Sequence, residues 1–187
     1  DVDNTNAQLS IASVTSGTGG TVVLNGDGTV TFTPTLTFSG AASFTYTTSD
    51  GSDTSLPATA TVNVAAVNDA PVAANQTITF LGTAPYVFQQ GEFGFSDVDG
   101  DSLMRIRVTA LPGNGALTLN GIAVVSNQDI LASDIVAGNL RYVLPSGATG
   151  IASDTLMFQV HDGTVYSTSS YTLTLNTTLV VALPPVT

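Results

Sequence analysis

The chain has 187 residues, room for one large or two small domains, and joins 43% hydrophobic residues to only 9% charged ones at a net charge of −11. That balance excludes a nucleic-acid backbone or an anionic membrane surface as partner, and no apolar run is long enough to cross a bilayer. Without cysteine there is no disulfide staple, and without lysine no Lys–Asn isopeptide crosslink, which leaves cation binding as the available staple.

In chain order, DVDN opens at Asp1, and NGDG (residues 25–28) is a hairpin signal in which Asp27 reads as turn chemistry. TVTFTPTLTF follows, with Val30, Phe32, Leu36 and Phe38 expected on one face and Thr29, Thr31, Thr33 and Thr37 mostly on the other. The same period of two runs through SFTYT (Phe44, Tyr46) and TATVNV (Ala60, Val62, Val64), with the turn signal SDG at residues 49–51 between them. In AAVNDAPVAANQ a polar junction, Asn68-Asp69, precedes a stiff extended step set by Pro71, the best domain boundary in the chain. Beyond it lie FSDVDGDSL (residues 95–103), the turn signal LPGNG (111–115), and the strand ALTLNG with Leu117 and Leu119. One helical turn is expected within residues 127–135, then HDG (161–163) and the strand YTLTL with Tyr171, Leu173 and Leu175. Thr, Val, Gly and Ser dominate, so the expected fold is all-β and sandwich-like.

An internal repeat organises these pieces. DVDN at Asp1 matches DVDG at Asp97, and SFTYTTSDG matches TLMFQVHDG, with Phe44 over Leu156, Tyr46 over Phe158 and Asp50 over Asp162. The DVD-to-DG distance is 49 residues in the first copy and 65 in the second, which places an insertion around residues 121–140. The expected division is residues 1–69 as a partial module with linker, 70–176 as a second module, and 177–187 as an apolar tail.

FSDVDGDSL raises the chemical question. Its three aspartates, Asp97, Asp99 and Asp101, repel one another by about 1 kcal/mol per pair at roughly 4 Å in water. Either the segment is a solvated turn or it expects a cation. Glu92 is the only glutamate, and the other thirteen acids are aspartates, the residue suited to turns and oxygen-ligand metal loops. If the segment starts extended, Asp97 and Asp99 point to one side and Val98 enters the core. An EF-hand does not fit, because Ser102 stands where that loop needs Gly and Val108 where it needs Glu.

The pieces GTVVLNGDGTVTFTPTLTFSGAASFTYTTSDG, VNDAP, FSDVDGDSL and LPGNGALTLNGIAV, in this order, resemble the cadherin-like tandem repeats of large bacterial surface adhesins and biofilm proteins of the RTX type. The resemblance implies tandem cadherin/Ig-like Greek-key β-sandwich modules, the first incomplete at its N-terminus, with Ca²⁺ at the inter-module joint. The joint site it implies takes Asp97 and Asp99 together with the DG aspartate Asp162 and the linker residues Asn68 and Asp69, while Asp101 adds a ligand or caps the turn. The first copy carries Asp1, Asp3 and Asp50 in equivalent positions as a half site. Ala66 stands where animal cadherins place an aspartate, which implies weaker affinity, about 10⁻⁴–10⁻³ M. The nonapeptide Gly-rich calcium repeat is missing.

The implied function is structural: a calcium-rigidified segment of an extracellular adhesin or matrix fibre at the bacterial surface. Its partners would be neighbouring modules or subunits, with a surface glycan or protein receptor at the adhesive end. Alternatives are a lectin-like ligand-binding module and a filament subunit that polymerises by strand addition. Enzyme readings are poor, since there is no thiol, no Lys, no GxSxG and no zinc-ligand cluster. His161 reads as a half-exposed residue at a strand end. At the ends, an excerpt from a longer chain is one expectation. The other is that the tail, with Leu179, Val181 and Leu183 alternating, inserts into the open first module of a neighbouring subunit.

Overall fold

Short polar side chains and glycine shape the first hairpin. β1 (Ser10–Ser16) leads into β2 (Gly20–Leu24) and β3 (Val30–Pro34), which pair antiparallel around residues 25–28. There the Asp27 carboxylate accepts the Thr29 N–H at 3.0 Å and the Thr29 hydroxyl at 2.6 Å, and Gly28 takes φ +85°. The computed structural model describes residues 9–82, 84–146 and 151–178. The chain divides into two compact units, Asp1–Asn68 and Asp69–Thr187.

In the first unit β4 (Gly40–Ser49) lies between β1 and β5 (Ala58–Val64), antiparallel to both. The inward side chains of this sheet stay half-buried, apart from Ala42, which is fully shielded. One expectation fails here. The alternation does not run on to Leu36, which is 87% exposed. Pro34 ends β3, the chain turns with the Phe38 N–H on the Thr35 carbonyl, and Thr37 takes φ 63°. Parity carried through a turn is meaningless, so Leu36 points to water and Phe38 packs back against Gly19.

The second unit is a sandwich of two sheets. One has the order β11-β8-β13-β14-β6, built from β6 (Gln76–Leu81), β8 (Arg105–Ala110), β11 (Gln128–Leu131), β13 (Ile151–His161) and β14 (Tyr171–Thr178). The other runs β10-β9-β12-β7, from β7 (Tyr86–Val87), β9 (Ala116–Leu119), β10 (Ile122–Ala123) and β12 (Leu140–Val143). Non-consecutive strands are neighbours in both, as in Greek-key connections, and β6 runs parallel to β14. Between the sheets lie Ile106, Val108, Leu117, Leu140, Leu156, Phe158, Leu173 and Leu175, all 3% exposed or less, with Phe88 and Phe93 from the loop and 3₁₀ turn after β7. Burial of each such side chain contributes about 1.5–3 kcal/mol. The chain is thus all-β, with cadherin/Ig-like sandwich architecture.

The expected helical turn is shorter than residues 127–135. Only α1 (Ala132–Val136) is helical, and Gln128–Leu131 is the strand β11. Pairing with β8 decides this: Ile130 is fully buried opposite Ile106, and Asp129 faces Arg107. The residues that the second copy adds form β10, β11 and α1, between β9 and β12.

The repeat holds at the level of register. Phe44 pairs with Ala60 and Ala42 with Val62, as Leu156 pairs with Leu173 and Asp154 with Leu175. Thus β4 corresponds to β13 and β5 to β14. The flanks differ. β14 has β13 on one side and β6 on the other, whereas β5 has β4 as its only sheet neighbour among the described residues.

Candidate metal centre

The two DG turns are built alike, bond for bond. Asp50 accepts the N–H groups of Ser52 and Asp53 at 2.8 and 2.7 Å, and Asp162 those of Thr164 and Val165 at 2.6 and 2.7 Å. One bridge closes each turn, Ser49 with Thr54 and His161 with Tyr166. A serine then ties each turn to its strand. The Ser55 hydroxyl accepts the Thr48 N–H at 3.0 Å, and the Ser167 hydroxyl accepts the Val160 N–H at 3.2 Å. Ser167 is 1% exposed, so its hydroxyl needs these partners. Sequence reading missed both serines, although each stands five residues after its aspartate.

The DVDGDSL segment departs from its expected extended start. Asp97 Oδ1 accepts the N–H of Asp99 at 2.8 Å and of Asp101 at 3.4 Å, which wraps the chain into a turn completed by Gly100 at φ +85°. Val98 is therefore 62% exposed rather than in the core. The loop runs directly into β8, antiparallel to β13 with Arg105 opposite His161. Asp162 consequently lies at the same end of this sheet as the loop. Val72 and Ser96 exchange backbone hydrogen bonds, both 2.9 Å, and the Asp69 N–H donates to Asp99 Oδ2 at 2.7 Å.

Asp69, Asp97 and Asp99 are thereby drawn to one loop of the second unit. Asp101 is exposed beside them, and Asn68, the residue before Asp69, closes the first unit. Of the half site only Asp50 is described, because Asp1 and Asp3 lie outside the described residues, as do residues 179–187.

Asp97 carries the chemically informative atom. Its Oδ2 is shielded from water and has no hydrogen-bond partner. A buried carboxylate oxygen left so costs about 1–3 kcal/mol or more, and a hard cation is one partner that satisfies an acceptor-only oxygen. On this count the residues present fit calcium. Among the described residues, however, no three His, Asp or Glu side chains form a ready-made metal cluster. A calcium shell of six to eight oxygens would also need backbone, amide or water ligands.

His161 is not the half-exposed residue expected. It is 8% exposed at the end of β13, its ring edge-on to Tyr166 at 4.3 Å. Burial and the nearby Arg105 guanidinium hold its pKa below the ordinary 6.5. Its Nδ1 accepts the Gly163 N–H at 2.8 Å, so the neutral ring carries its proton on Nε2. A Ser–His–Asp triad needs the opposite tautomer, with Nδ1–H donating to a carboxylate.

Two further polar groups escaped the sequence reading. Asp129 takes Arg107 Nε at 2.7 Å, Arg107 Nη2 at 3.2 Å and the Tyr166 hydroxyl at 2.6 Å, while the Arg107 guanidinium lies 4.0 Å from the Tyr166 ring centre. The Arg107 bonds hold the Asp129 carboxyl below its usual range. Asp154, 7% exposed, accepts the N–H groups of Gly113, Asn114 and Gly115 and the Tyr142 hydroxyl. Burial alone would push Asp154 up, but the three loop donors and Tyr142 outweigh it and hold the carboxyl below 3.8. Gly115 is required at its place, since a Cβ there would meet the Tyr142 ring at about 2.4 Å.

With this geometry in hand, residues 1–65 match the cadherin-like domain family, and residues 68–176, more than half of the chain, match the bacterial Ig domain. The chain belongs to the bacterial Ig domain family. A cadherin-like domain followed by this bacterial Ig domain fits a structural repeat of a surface or extracellular protein, and domains of these kinds are typically non-enzymatic.

Among solved structures, human mucin-like protocadherin EC1-2 is 18% identical at a TM-score of 0.46, covering 91% of this chain and 84% of that one. The endo-fucoidan hydrolase MfFcnA4 of glycoside hydrolase family 107 is 20% identical at a TM-score of 0.35, covering 92% of this chain and 24% of the hydrolase. MfFcnA9 of the same family is 17% identical at a TM-score of 0.28, covering 90% and 28%. The bacterial Ig chain spans about a quarter of the length of these hydrolases. No curated protein matches it. Among the described residues no helix is long and apolar enough to cross a membrane.

Proposed function

We propose that the chain is a calcium-dependent structural segment of a bacterial surface adhesin or matrix fibre. The observation that supports calcium is the shielded, donorless Asp97 Oδ2 beside the Asp69–Asp99 contact. Asp69, Asp97, Asp99, Asp101 and Asp162 are the side chains that would hold the ion, with Asn68 the adjoining linker amide. Bound calcium supplies positive charge to carboxylates that otherwise repel one another. The protein's own residues do the rest. The Asp97 turn aligns the loop, and Asp99 fastens the linker backbone at Asp69, so a site that stabilises this loop also stiffens the linker entering the module.

Calorimetry in calcium and in chelator tests the proposal. For a dissociation constant of about 10⁻⁴–10⁻³ M, about 10 mM calcium should add roughly 1.4–2.7 kcal/mol of stability to the second unit. Asp97→Asn keeps an acceptor for the turn but loses the charge, and should abolish most of that gain. Equal melting temperatures in calcium and chelator would refute the proposal, as would an undiminished calcium response in Asp97→Asn.

A further inference from the structure

The segment that the second copy adds begins and ends at one surface pocket. The Asn120 N–H donates to the Asn139 carbonyl at 3.0 Å and Leu119 pairs with Leu140, which closes the neck of that segment. Asn120 and Gly121 form the two-residue turn into β10, at φ 51° and 79°. With Asn139 and Arg141 they line a pocket of about 340 Å³, within the range of small-ligand sites. Its one charged group is a cation. Arg105 and Arg107 share Asp129, whereas Arg141 has no carboxylate within ion-pair reach among the described residues. The chain has no lysine and a net charge of −11, so an unneutralised guanidinium is a rare feature of its surface. Arg141 Nε donates to the Gly138 carbonyl at 3.2 Å, and the two Nη groups of this exposed side chain have no hydrogen-bond partner among the described residues. Asn139 Nδ2 donates to Asp134 Oδ1 at 3.0 Å, which leaves the Asn139 amide oxygen as an acceptor. At Gly121 a Cβ would meet nothing, so a ligand can approach the backbone there.

We propose that this pocket binds the carboxylate of an acidic sugar, a uronic acid residue. The planar Arg141 fork matches a carboxylate through two parallel N–H···O bonds. The Asn120 amide, which donates and accepts, and the Asn139 amide oxygen suit the hydroxyls that flank a sugar carboxylate. Charge narrows the ligand further. One cation answers one carboxylate, and a chain at −11 repels a dense polyanion. None of the lining residues belongs to the Asp97 loop, so the site does not depend on the calcium reading, and its test reads sugar binding rather than metal response.

The experiment is an NMR titration of the isotope-labelled full chain with the methyl glycosides of glucuronic, galacturonic and mannuronic acid, each against its neutral parent hexoside. At least one uronide should shift the backbone amide signals of Asn120, Gly121, Asn139 and Arg141, with a dissociation constant of about 1 mM and about tenfold tighter than its neutral parent. Arg141→Gln should erase that advantage, and Arg141→Lys, which keeps the charge without the fork, should retain only part of it. Asn120→Asp suits the left-handed turn equally well and should weaken the uronide but not the neutral sugar. Unchanged signals elsewhere report that each variant is folded. No shift from any uronide at about 20 mM overturns the proposal, as does equal binding of uronide and neutral sugar. So does a uronide affinity that Arg141→Gln leaves unchanged. Inorganic sulfate bound as tightly as the uronide would make the pocket a general anion site, and tighter binding of a blocked Gly-Asp-Gly peptide would assign it to a protein ligand; either result overturns the sugar assignment.

Discussion

Asp154→Ala removes the acceptor that closes the loop between β8 and β9. Five donors lose their partner: the N–H groups of Gly113, Asn114 and Gly115 at 2.8, 3.0 and 2.9 Å, the Tyr142 hydroxyl at 2.9 Å, and the exposed Thr155 N–H at 2.9 Å. They do not count equally. Gly113 and Asn114 are exposed, so water replaces the carboxylate there at little cost. Gly115 is half-buried and Tyr142 is 2% exposed, so their donors are stranded. At about 1.5–3 kcal/mol for each hydrogen bond to a charged group, the loss is about 3–6 kcal/mol. Against a typical total of about 5–15 kcal/mol, that leaves the second unit marginal. The melting temperature of the second unit should fall by about 10–20 °C in calorimetry. A double-mutant cycle with Tyr142→Phe isolates the buried bond and should give a coupling of about 1–2 kcal/mol. A loss below about 1 kcal/mol for Asp154→Ala would refute the reasoning, because the donors would then have been hydrated all along.

Ser167→Ala should cost about 1–3 kcal/mol by urea titration, since it strands the N–H of the fully buried Val160, while Ser55→Ala, at the exposed counterpart, should cost clearly less. His161 gives a pH signature. Its folded pKa is below 6.5, so the neutral ring is the stabilised form, and stability should be complete above about pH 6.5 and decline as pH falls towards the folded value. Melting temperature measured across that interval should flatten in His161→Gln. A second decline should begin below about pH 4 as Asp154, held below 3.8, takes up its proton, and Asp154→Asn should remove part of it.

The parts of the fold legible in the sequence were those decided locally. Strict alternation in Phe44 and Tyr46, in Leu117 and Leu119, and in Leu173 and Leu175 predicts half-buried strands, because a strand's side-chain period is two whatever it pairs with. NGDG and the two DG pairs predict turns because Asp accepts N–H groups two or three residues on, and glycine takes positive φ at Gly28, Gly51 and Gly163. Leu36 was misread where local reasoning crossed a turn. Residues 128–131 were misread because Ile130 and Asp129 owe their strand conformation to Ile106 and Arg107, some twenty residues away. The Asp129–Arg107 pair and the Asp154 loop closure depend on cross-strand register, which composition and periodicity leave undetermined. Asp154 did leave one trace: it is the only acid within a long apolar strand, and such a residue needs donors wherever it is buried.

The candidate site shows the same division in a single side chain. The wish of Asp97 to accept N–H groups from its own loop is local chemistry, and both the solvated-turn reading and the cation reading expect it. Those bonds occupy Oδ1 alone. What separates the two readings is Oδ2. A solvated turn leaves that oxygen in water, where its hydration costs nothing, yet here it is shielded and without a donor. Whether a carboxylate oxygen is shielded depends on how the chain packs around it, and this loop is held by the Val72–Ser96 pairing and by the Asp69 N–H on Asp99. Those contacts follow from the tertiary fold and not from the spacing of three aspartates. The decisive comparison is therefore Asp97→Asn against Asp101→Asn. Asp101 shares the charge cluster but is exposed, so a purely electrostatic relief of repulsion should stabilise both variants alike in chelator. Ligation through Oδ2 should make only Asp97→Asn lose its calcium response. Equal calcium responses in the two variants would mean that the cluster only gathers counterions.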